Sequence, residues 1–212
     1  MKESKYRGVY TDGRNYYTRS NSGKSIYGEK VIKISDKYYH LWNPFRSKLA
    51  ATMKLNIKTF PFKNSKVLYL GASTGTTVSH LADVSKLIWA VEISPISMKS
   101  LLNLAEEKDN IIPILDDARN VRNLSLFVRK PDIIYQDVSQ RDQVSIFVNN
   151  MEYFSPHYGF LMLKTRTIDM RKKPKSILQN TISKLKENGY KIIEVLNISK
   201  FQKDHFAIVV KK

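Results

Sequence analysis

Hydrophobic positions along the chain follow two rhythms. In residues 1–45 three short β-prone runs, Tyr6 to Tyr10, Arg14 to Arg19 and Lys30 to Ile34, lie between polar breakers such as Thr11-Asp12-Gly13 and Ser20-Asn21-Ser22-Gly23. Runs at that spacing predict a small antiparallel sheet or meander. A sheet of this size is marginal alone and is expected to pack on the remainder. From Pro44 the period becomes helical. Pro44 suits a first helical position, and Leu49, Ala50, Met53 and Ile57 recur on one face. Residues 46–66 carry six Lys or Arg and no acid, so the opposite face of this helix is expected to be wholly cationic.

Beyond that point apolar runs alternate with helical stretches. Strands are predicted at Lys66–Gly71, Leu87–Ile93, Ile111–Leu115, Asp132–Asp137 and Gly159–Lys164. Helices are predicted at Thr76–Ser85, Pro95–Lys108, weakly at Leu124–Arg129, and at Gln140–Phe154 and Pro174–Asn188. Near-continuous apolar strands separated by helices imply an α/β fold with a parallel sheet covered on both faces. Tyr190–Ile198 and His205–Val210 close the chain as two strands with no helix between them, so at least one strand there is antiparallel. The expected division is a small N-terminal β-domain, residues 1–45, followed by an α/β domain, residues 46–212.

Composition narrows the function. A length of 212 residues permits one sizeable core with a small appendage, and 42% hydrophobic and 11% aromatic residues exclude a disordered basic tail. A net charge of +17 on a folded chain points to a polyanion, nucleic acid before an anionic membrane surface. Residues 1–45 hold 9 basic and 4 acidic residues, which leaves most of the excess on the α/β part. The absence of cysteine excludes disulfides, zinc knuckles, iron–sulfur sites and thiol nucleophiles. His40, His80, His157 and His205 are too scattered for a zinc motif, so no metal is expected. No apolar run reaches membrane-span length and no signal core opens the chain, so a soluble intracellular protein without a membrane partner is expected.

The chemistry is concentrated at strand ends. Leu70–Thr77 (LGASTGTT) joins the first strand of the α/β part to its helix, as a phosphate- or nucleoside-binding turn does. Glu92 ends the next strand 21 residues after Gly71, where an acid can accept from both ribose hydroxyls. The spacing is G-x-x-x-G and lacks the third glycine of a dinucleotide fingerprint. An adenosine ligand without a diphosphate fits better, with S-adenosylmethionine foremost. Asp116-Asp117-Ala118 ends the third strand, where the adenine edge would lie, and Asp137 ends the fourth. Ligands of open α/β sheets bind outside these carboxyl ends.

These residues are similar to fibrillarin. The matching segments are Asn43–Ala51 (NPFRSKLAA), Val67–His80 (VLYLGASTGTTVSH), Ala90–Pro95 (AVEISP), Asn110–Pro113 (NIIP), Asp117–Arg119 (DAR), Gln136–Gln143 (QDVSQRDQ), Leu163–Asp169 (LKTRTID) and Lys203–His205 (KDH). They run in order from about residue 27 to the end, and the compact form resembles the archaeal branch, which carries the expectation of a cytoplasmic protein. The resemblance implies a Rossmann-like, seven-stranded S-adenosylmethionine-dependent methyltransferase sheet with a small N-terminal antiparallel β-domain. It implies 2′-O-ribose methylation of rRNA and tRNA directed by box C/D guide RNA, on a Nop-domain scaffold protein that brings in a kink-turn-binding protein.

Carried over by motif, the cofactor contacts fall on Gly71, Ala72, Thr76 and Thr77 for the methionine end, Glu92 for the ribose, Asp117 and Ala118 for adenine, and Asp137 and Gln140 near the sulfonium. The family's catalytic Lys-Asp-Lys-His set falls on Lys48, Asp137, Lys164 and His205. In this reading Lys164 takes or steers the hydroxyl proton, Asp137 orients Lys164, and Lys48 clamps hydroxyl or phosphate. Lys48, Lys54, Lys58, Arg166, Arg171, Lys172 and Lys173 are the expected RNA contacts. Ser73-Thr74 replaces the commoner Ala-Ser, the Ala82–Lys86 connection lacks the usual glycine, and Arg141 stands where proline is usual. Two other readings compete. A non-catalytic RNA-binding or assembly module leaves the catalytic set unexplained, and a stand-alone methyltransferase on a non-RNA substrate needs an enclosed acceptor pocket.

Overall fold

The tyrosine-rich runs at the N-terminus pair as five short strands, β1 (Lys2–Glu3), β2 (Val9–Thr11), β3 (Tyr16–Ser20), β4 (Val31–Ile34) and β5 (Lys37–Leu41). They form an antiparallel sheet in the order β1-β2-β3-β5-β4 in the computed structural model, which describes residues 1–212. β5, absent from the sequence expectation, is the partner of both β3 and β4. Its hairpin turn is Ser35-Asp36, with Ser35 at φ 53° taking the left-handed conformation that such turns need and that glycine or asparagine usually supplies.

This sheet shares its core with the α/β part. Tyr6, Val9 and Trp42 are buried in the same cluster as Leu49, Met53, Ile57 and Phe62, and the Tyr6 hydroxyl donates to the Met53 carbonyl at 3.0 Å. The Thr18 hydroxyl lies 2.7 Å from Asp83 Oδ2 and 2.9 Å from His80 Nδ1. Burial pushes the His80 imidazole down to about 3, so the ring is neutral and stacks on Trp42 at 5.1 Å.

The first helix is shorter than its apolar period suggests. α1 covers Lys48–Lys54 and is capped by Ser47, whose hydroxyl accepts from the Ala50 N–H. Pro44 sits in the preceding turn, closed by the N–H groups of Arg46 and Ser47 on the Asn43 carbonyl. Asn56 at φ 62° turns the chain after α1, so Ile57 is buried from a loop and Lys58, Lys63 and Lys66 lie off the helix. The wholly cationic helix face is therefore not formed.

The remaining elements are β6 (Lys66–Leu70), α2 (Thr76–Ala82), β7 (Leu87–Glu92), α3 (Pro95–Glu107), β8 (Ile111–Leu115), α4 (Val121–Leu124), β9 (Ile133–Gln136), α5 (Gln143–Phe154), β10 (Tyr158–Lys164), α6 (Thr165–Ile168), α7 (Pro174–Glu187), β11 (Lys191–Asn197) and β12 (His205–Lys211). The strands make one seven-stranded sheet, β11-β12-β10-β9-β6-β7-β8, in which only β12 runs antiparallel to its neighbours. α4 lies earlier than expected, α5 begins three residues later, and α6 has no counterpart in the apolar pattern. Alternate strand residues enter two cores. Tyr69, Ala90, Tyr135 and Met162 face α1, α2 and α3, while Leu70, Val91, Ile134 and Leu161 face α4, α5 and α7. The winding direction reverses between β6 and β9, which opens a crevice beyond their carboxyl ends.

Candidate functional site

Backbone geometry builds the crevice. Gly71 has φ 83°, and a Cβ placed there would stand 2.6 Å from the Asp137 carbonyl oxygen, so only glycine lets the turns after β6 and β9 come this close. The N–H groups of Gly71 and Ala72 both donate to the Val91 carbonyl at 2.9 Å, and the Asp137 N–H donates to Leu70 at 2.8 Å. These bonds fix three strand ends around a cleft of about 220 Å³. Gly75, at φ 93°, opens α2; a Cβ there would strike Leu104 and the Tyr27 hydroxyl at 2.8 Å.

Glu92 is buried at the cleft wall. Its two carboxylate oxygens accept the N–H groups of Ser73 at 2.7 Å and Ser94 at 2.8 Å, which leaves each oxygen a further lone pair for a ribose hydroxyl. Asp116 and Ala118 line the cleft, and Asp117 does not. The Asp117 carboxylate accepts from Arg119, whose guanidinium also bridges to Asp142 at 2.8 Å. Asp137, Val138, Ser139 and Gln140 complete one wall, and Gln140 Oε1 is buried without a partner in the chain. Thr76 and Thr77 are not among the lining residues. Thr76 borders a small cavity beside Trp42 and His80, and the Thr77 hydroxyl donates to Ser47 Oγ at 3.0 Å. Their N–H groups at the start of α2 have no backbone acceptor. The tight glycine turn, the open lone pairs of Glu92, the unpartnered Gln140 oxygen and the adjacent apolar Val91, Ile93 and Val138 together fit an adenosine-bearing cofactor.

Lys48, Asp137, Lys164 and His205 converge from four elements. Lys48 is the first residue of α1, and its ammonium donates to Asp137 Oδ2 at 2.8 Å with both side chains largely buried. Lys164 ends β10 directly opposite His205, the first residue of β12, so the two side chains stand on one face of the sheet. The Lys164 ammonium reaches Ser139 Oγ at 3.5 Å, so Asp137 pairs with Lys48 and not, as the sequence suggested, with Lys164. The buried Gln143 amide fixes the Lys164 backbone, accepting its N–H at 2.9 Å and donating to its carbonyl at 3.1 Å. Burial lowers the His205 pKa, and the charges of Lys48 and Lys164 lower it further against Asp137 and the Lys203 carbonyl. With Nδ1 2.7 Å from that carbonyl, which can only accept, the neutral ring carries its proton on Nδ1 and leaves Nε2 an acceptor.

The expected RNA contacts separate into two groups. Arg166 and Arg171 line a groove with Arg141, and Lys172 lines an adjoining one that Arg141 also borders. Arg166 is held by Asp204 at 2.9 Å, whereas Arg141 is exposed and makes no bond within the chain. Lys173 caps α7. Lys54 instead donates to the Arg14 carbonyl and covers the Tyr16 ring, and the Lys58 N–H donates to Glu194 at 3.0 Å, so these two sit against the N-terminal sheet and β11. Sequence reasoning missed Ser73, Ile93 and Ser139 in the cleft and Tyr27, whose hydroxyl donates to the Thr74 carbonyl at 2.5 Å from outside the α/β part. For Ile93 a signal was present, an apolar residue directly after a ribose-type acid. No group of His, Cys, Asp or Glu is arranged to hold a metal, and no helix is long and apolar enough to cross a membrane.

Compared with known proteins, the chain matches the fibrillarin family model over residues 1–212. The fibrillarin-like rRNA/tRNA 2′-O-methyltransferase of Thermoplasma acidophilum is 45% identical over 201 residues, covering 93% of this chain and 86% of that protein. The crystal structure of Aeropyrum pernix fibrillarin with natively bound S-adenosyl-L-methionine aligns with a TM-score of 0.88 at 33% identity, over 99% of this chain and 96% of that one. A fibrillarin/Nop5p complex structure aligns with a TM-score of 0.89 at 37% identity, over 97% and 98%.

Proposed function

The chain belongs to the fibrillarin family, and on that premise we propose that it is an S-adenosylmethionine-dependent RNA 2′-O-methyltransferase acting on rRNA and tRNA, working on a Nop-domain scaffold. The observation that carries this reading is the meeting of Lys48, Asp137, Lys164 and His205 at the rim of the cleft lined by Gly71, Glu92, Ala118 and Gln140. In the finer reading a box C/D guide RNA chooses the nucleotide, and a kink-turn-binding protein joins through the scaffold. The division of labour agrees with a basic, open site. An A-form guide–target duplex is recognised by backbone and 2′-hydroxyls, which needs cations at the rim and no base-reading pocket.

Bound S-adenosylmethionine supplies an electrophilic methyl group. Glu92 would hold the ribose of that cofactor through its remaining lone pairs, and Ala118, beside Asp116 and Asp117, would take the adenine. Gly71 and Ala72, the N–H groups of Thr76 and Thr77 at the start of α2, and Gln140 would serve the methionine end. The remaining steps belong to side chains of the protein. Lys48, fixed by Asp137, presents its other ammonium protons to the target hydroxyl or its phosphate. Lys164 steers the hydroxyl from the opposite side or takes its proton, and the free Nε2 of His205 is a second acceptor. Positioning provides much of the rate, since a methyl donor of this kind needs an aligned nucleophile more than a strong one.

A tritiated-methyl assay with the assembled ribonucleoprotein tests the proposal. Lys164→Ala should abolish transfer while urea unfolding stays near wild type, Asp137→Ala should abolish transfer and also lower stability because it leaves the Lys48 ammonium unpaired, and full activity in either variant refutes the assigned roles. Transfer by the isolated chain to a small molecule would refute the RNA reading.

A further inference from the structure

Three arginines border the groove beside the reacting groups, and their bonds within the chain set one of them apart from the other two. Arg166 is engaged. Its Nε donates to Asp204 Oδ2 at 2.9 Å and its guanidinium also donates to the Met170 carbonyl at 3.2 Å, which ties the α6 turn to the segment before β12. Arg141 and Arg171 are both exposed, and neither guanidinium has a partner in the protein. Arg171 uses only its backbone N–H, on Asp169 Oδ1 at 2.9 Å. One unpaired surface arginine is ordinary. Here two, the first between β9 and α5 and the second between α6 and α7, face one groove.

The groove adjoins the reacting groups on the side of Lys164. Arg141 directly follows Gln140, which lines the cofactor cleft, and the Lys164 ammonium reaches Ser139 Oγ at 3.5 Å two residues earlier. Lys164 also caps α6, whose continuation carries Arg171. Asp169 is the one acid on the groove, and it already accepts the Arg171 N–H. A strand that presents a ribose hydroxyl to Lys48 and Lys164 and continues on this side therefore meets two free guanidiniums. A paired A-form strand keeps its bases stacked and offers its backbone to the protein, so phosphates are the groups this groove can hold. A guanidinium matches phosphate oxygens with a fixed fork of donors, and an unpartnered one gives up no internal bond to do so. Arg166 would first have to leave Asp204 and Met170. An acidic protein segment could also meet these arginines, but the continuity of the groove with the ribose end of the site favours the strand.

We infer that Arg141 and Arg171 hold backbone phosphates of the target strand beside the methylated nucleotide, and that Arg166 shapes the groove without touching the RNA. This rests on the RNA methyltransferase reading above. The test uses full-length protein assembled with scaffold, guide RNA and paired target, and follows single-turnover methyl transfer between about 50 and 200 mM salt. A set of targets carries one neutral methylphosphonate at a time in place of a flanking phosphate. Arg141→Gln and Arg171→Gln should each slow transfer about tenfold, the scale of one charge-assisted hydrogen bond. Each should also flatten the log–log salt dependence by about one unit of slope. Scaffold assembly, S-adenosylmethionine affinity and melting temperature should be unchanged, and Arg141→Lys should keep most of the rate. At one linkage the methylphosphonate should slow wild type as much as Arg141→Gln does, and the two together should cost no more than either. Arg166→Gln should keep the wild-type salt slope, and a flattened one overturns its structural role. Wild-type rate and slope in either glutamine variant of Arg141 or Arg171 overturn the phosphate contact while leaving the activity in place. Methylphosphonate losses that add to that of Arg141→Gln at every linkage do the same. Lost scaffold assembly in Arg141→Gln overturns it too, by making the groove a protein contact. A wild-type ribonucleoprotein that transfers no methyl overturns the activity, and this inference with it.

Discussion

Gly71→Ala isolates the contact on which the cleft depends. Two costs arise at this position. The first is conformational, since φ 83° is a left-handed value that costs an L-residue about 1–2 kcal/mol. The second is spatial. The new Cβ would lie 2.6 Å from the Asp137 carbonyl oxygen, so the turns after β6 and β9 must part by about 0.8 Å to reach ordinary contact. Neither turn is free to move, because Gly71, Ala72 and Asp137 are all tied into the ladder by their N–H groups. Gly13 supplies the control, with φ 95° and nothing within 4 Å of its Cβ direction. Gly13→Ala should therefore cost about 1 kcal/mol, and Gly71→Ala about 3 kcal/mol once overpacking is added. In a chain of this length those losses correspond to melting temperatures lower by roughly 3 and 9 °C. The displaced segment carries Asp137 and, through its ion pair, Lys48. A shift approaching 1 Å there should lower methyl transfer about a hundredfold in Gly71→Ala, and leave Gly13→Ala active. Urea unfolding and the tritiated-methyl assay measure the two effects. Equal destabilisation of the two variants, with full activity in Gly71→Ala, refutes the close-approach argument.

Two further outcomes depend on how the N-terminal sheet meets the crevice. Tyr27→Phe removes the only bond from that sheet's segment to the Thr74 carbonyl. It should weaken S-adenosylmethionine binding in calorimetry about two- to tenfold, one neutral hydrogen bond's worth, with kcat at saturation nearly unchanged; an unaltered Kd removes Tyr27 from the site. His40 lies against Glu29 at 2.9 Å and the Ser22 carbonyl at 2.8 Å, using both ring nitrogens as donors in its charged form. Burial opposes that charge, but the Glu29 and Ser22 bonds prevail and raise the His40 pKa above its ordinary 6.5. Burial likewise opposes the Glu29 charge, yet the His40, Ile26 and Tyr27 bonds depress its pKa below the usual carboxylate range. The pair's contribution is therefore present above about 4.3, the unfolded Glu value, and is lost as pH rises through the raised His40 value. His40→Gln should flatten the decline of unfolding free energy that wild type shows in urea titrations as pH rises above about 6.5, and identical pH slopes in the two proteins contradict the assignment.

The parts of this structure that the sequence disclosed are those governed by short-range rules. Leu70–Thr77 needs glycine where φ is positive, and Glu92 falls at a strand end that hydrophobic runs locate well. What the sequence hid depends on partners distant in the chain. β5 is formed because β3 and β4 flank it, and its Ser35-Asp36 turn lacks the glycine or asparagine of the strong two-residue hairpin signals. α1 stops at Lys54 because Asn56 turns the chain, although Ile57 continues the apolar period from a loop. Of the adjacent Asp116 and Asp117, only Asp116 lines the cleft, a choice made by Arg119 bridging Asp117 to Asp142 from across the site. Of the four converging side chains only Asp137 was legible, from its place at a strand end, and Lys48, Lys164 and His205 came from the resemblance to fibrillarin; the exchange of partners, Lys48 instead of Lys164 on Asp137, is set by the placement of α1's first turn.

The net charge acquires a location when the acids are followed individually. Glu92 receives two backbone N–H groups, Asp137 receives Lys48, Asp117 and Asp142 receive Arg119, and Asp204 receives Arg166. Asp83 receives Lys108, and Asp132 and Glu194 accept backbone N–H groups. Acids are thus used to hold loops and strand ends in place. Only five of the 36 Lys and Arg lie within ion-pair distance of a carboxylate, namely Lys24, Lys48, Lys108, Arg119 and Arg166. A polyanion approaching the crevice therefore meets cations that have no internal partner to give up, Arg141 and Lys172 beside the grooves and Lys200 beside Phe201 among them. Uncompensated charges of this kind attract a polyanion without choosing its sequence, which agrees with the guide-directed reading proposed above.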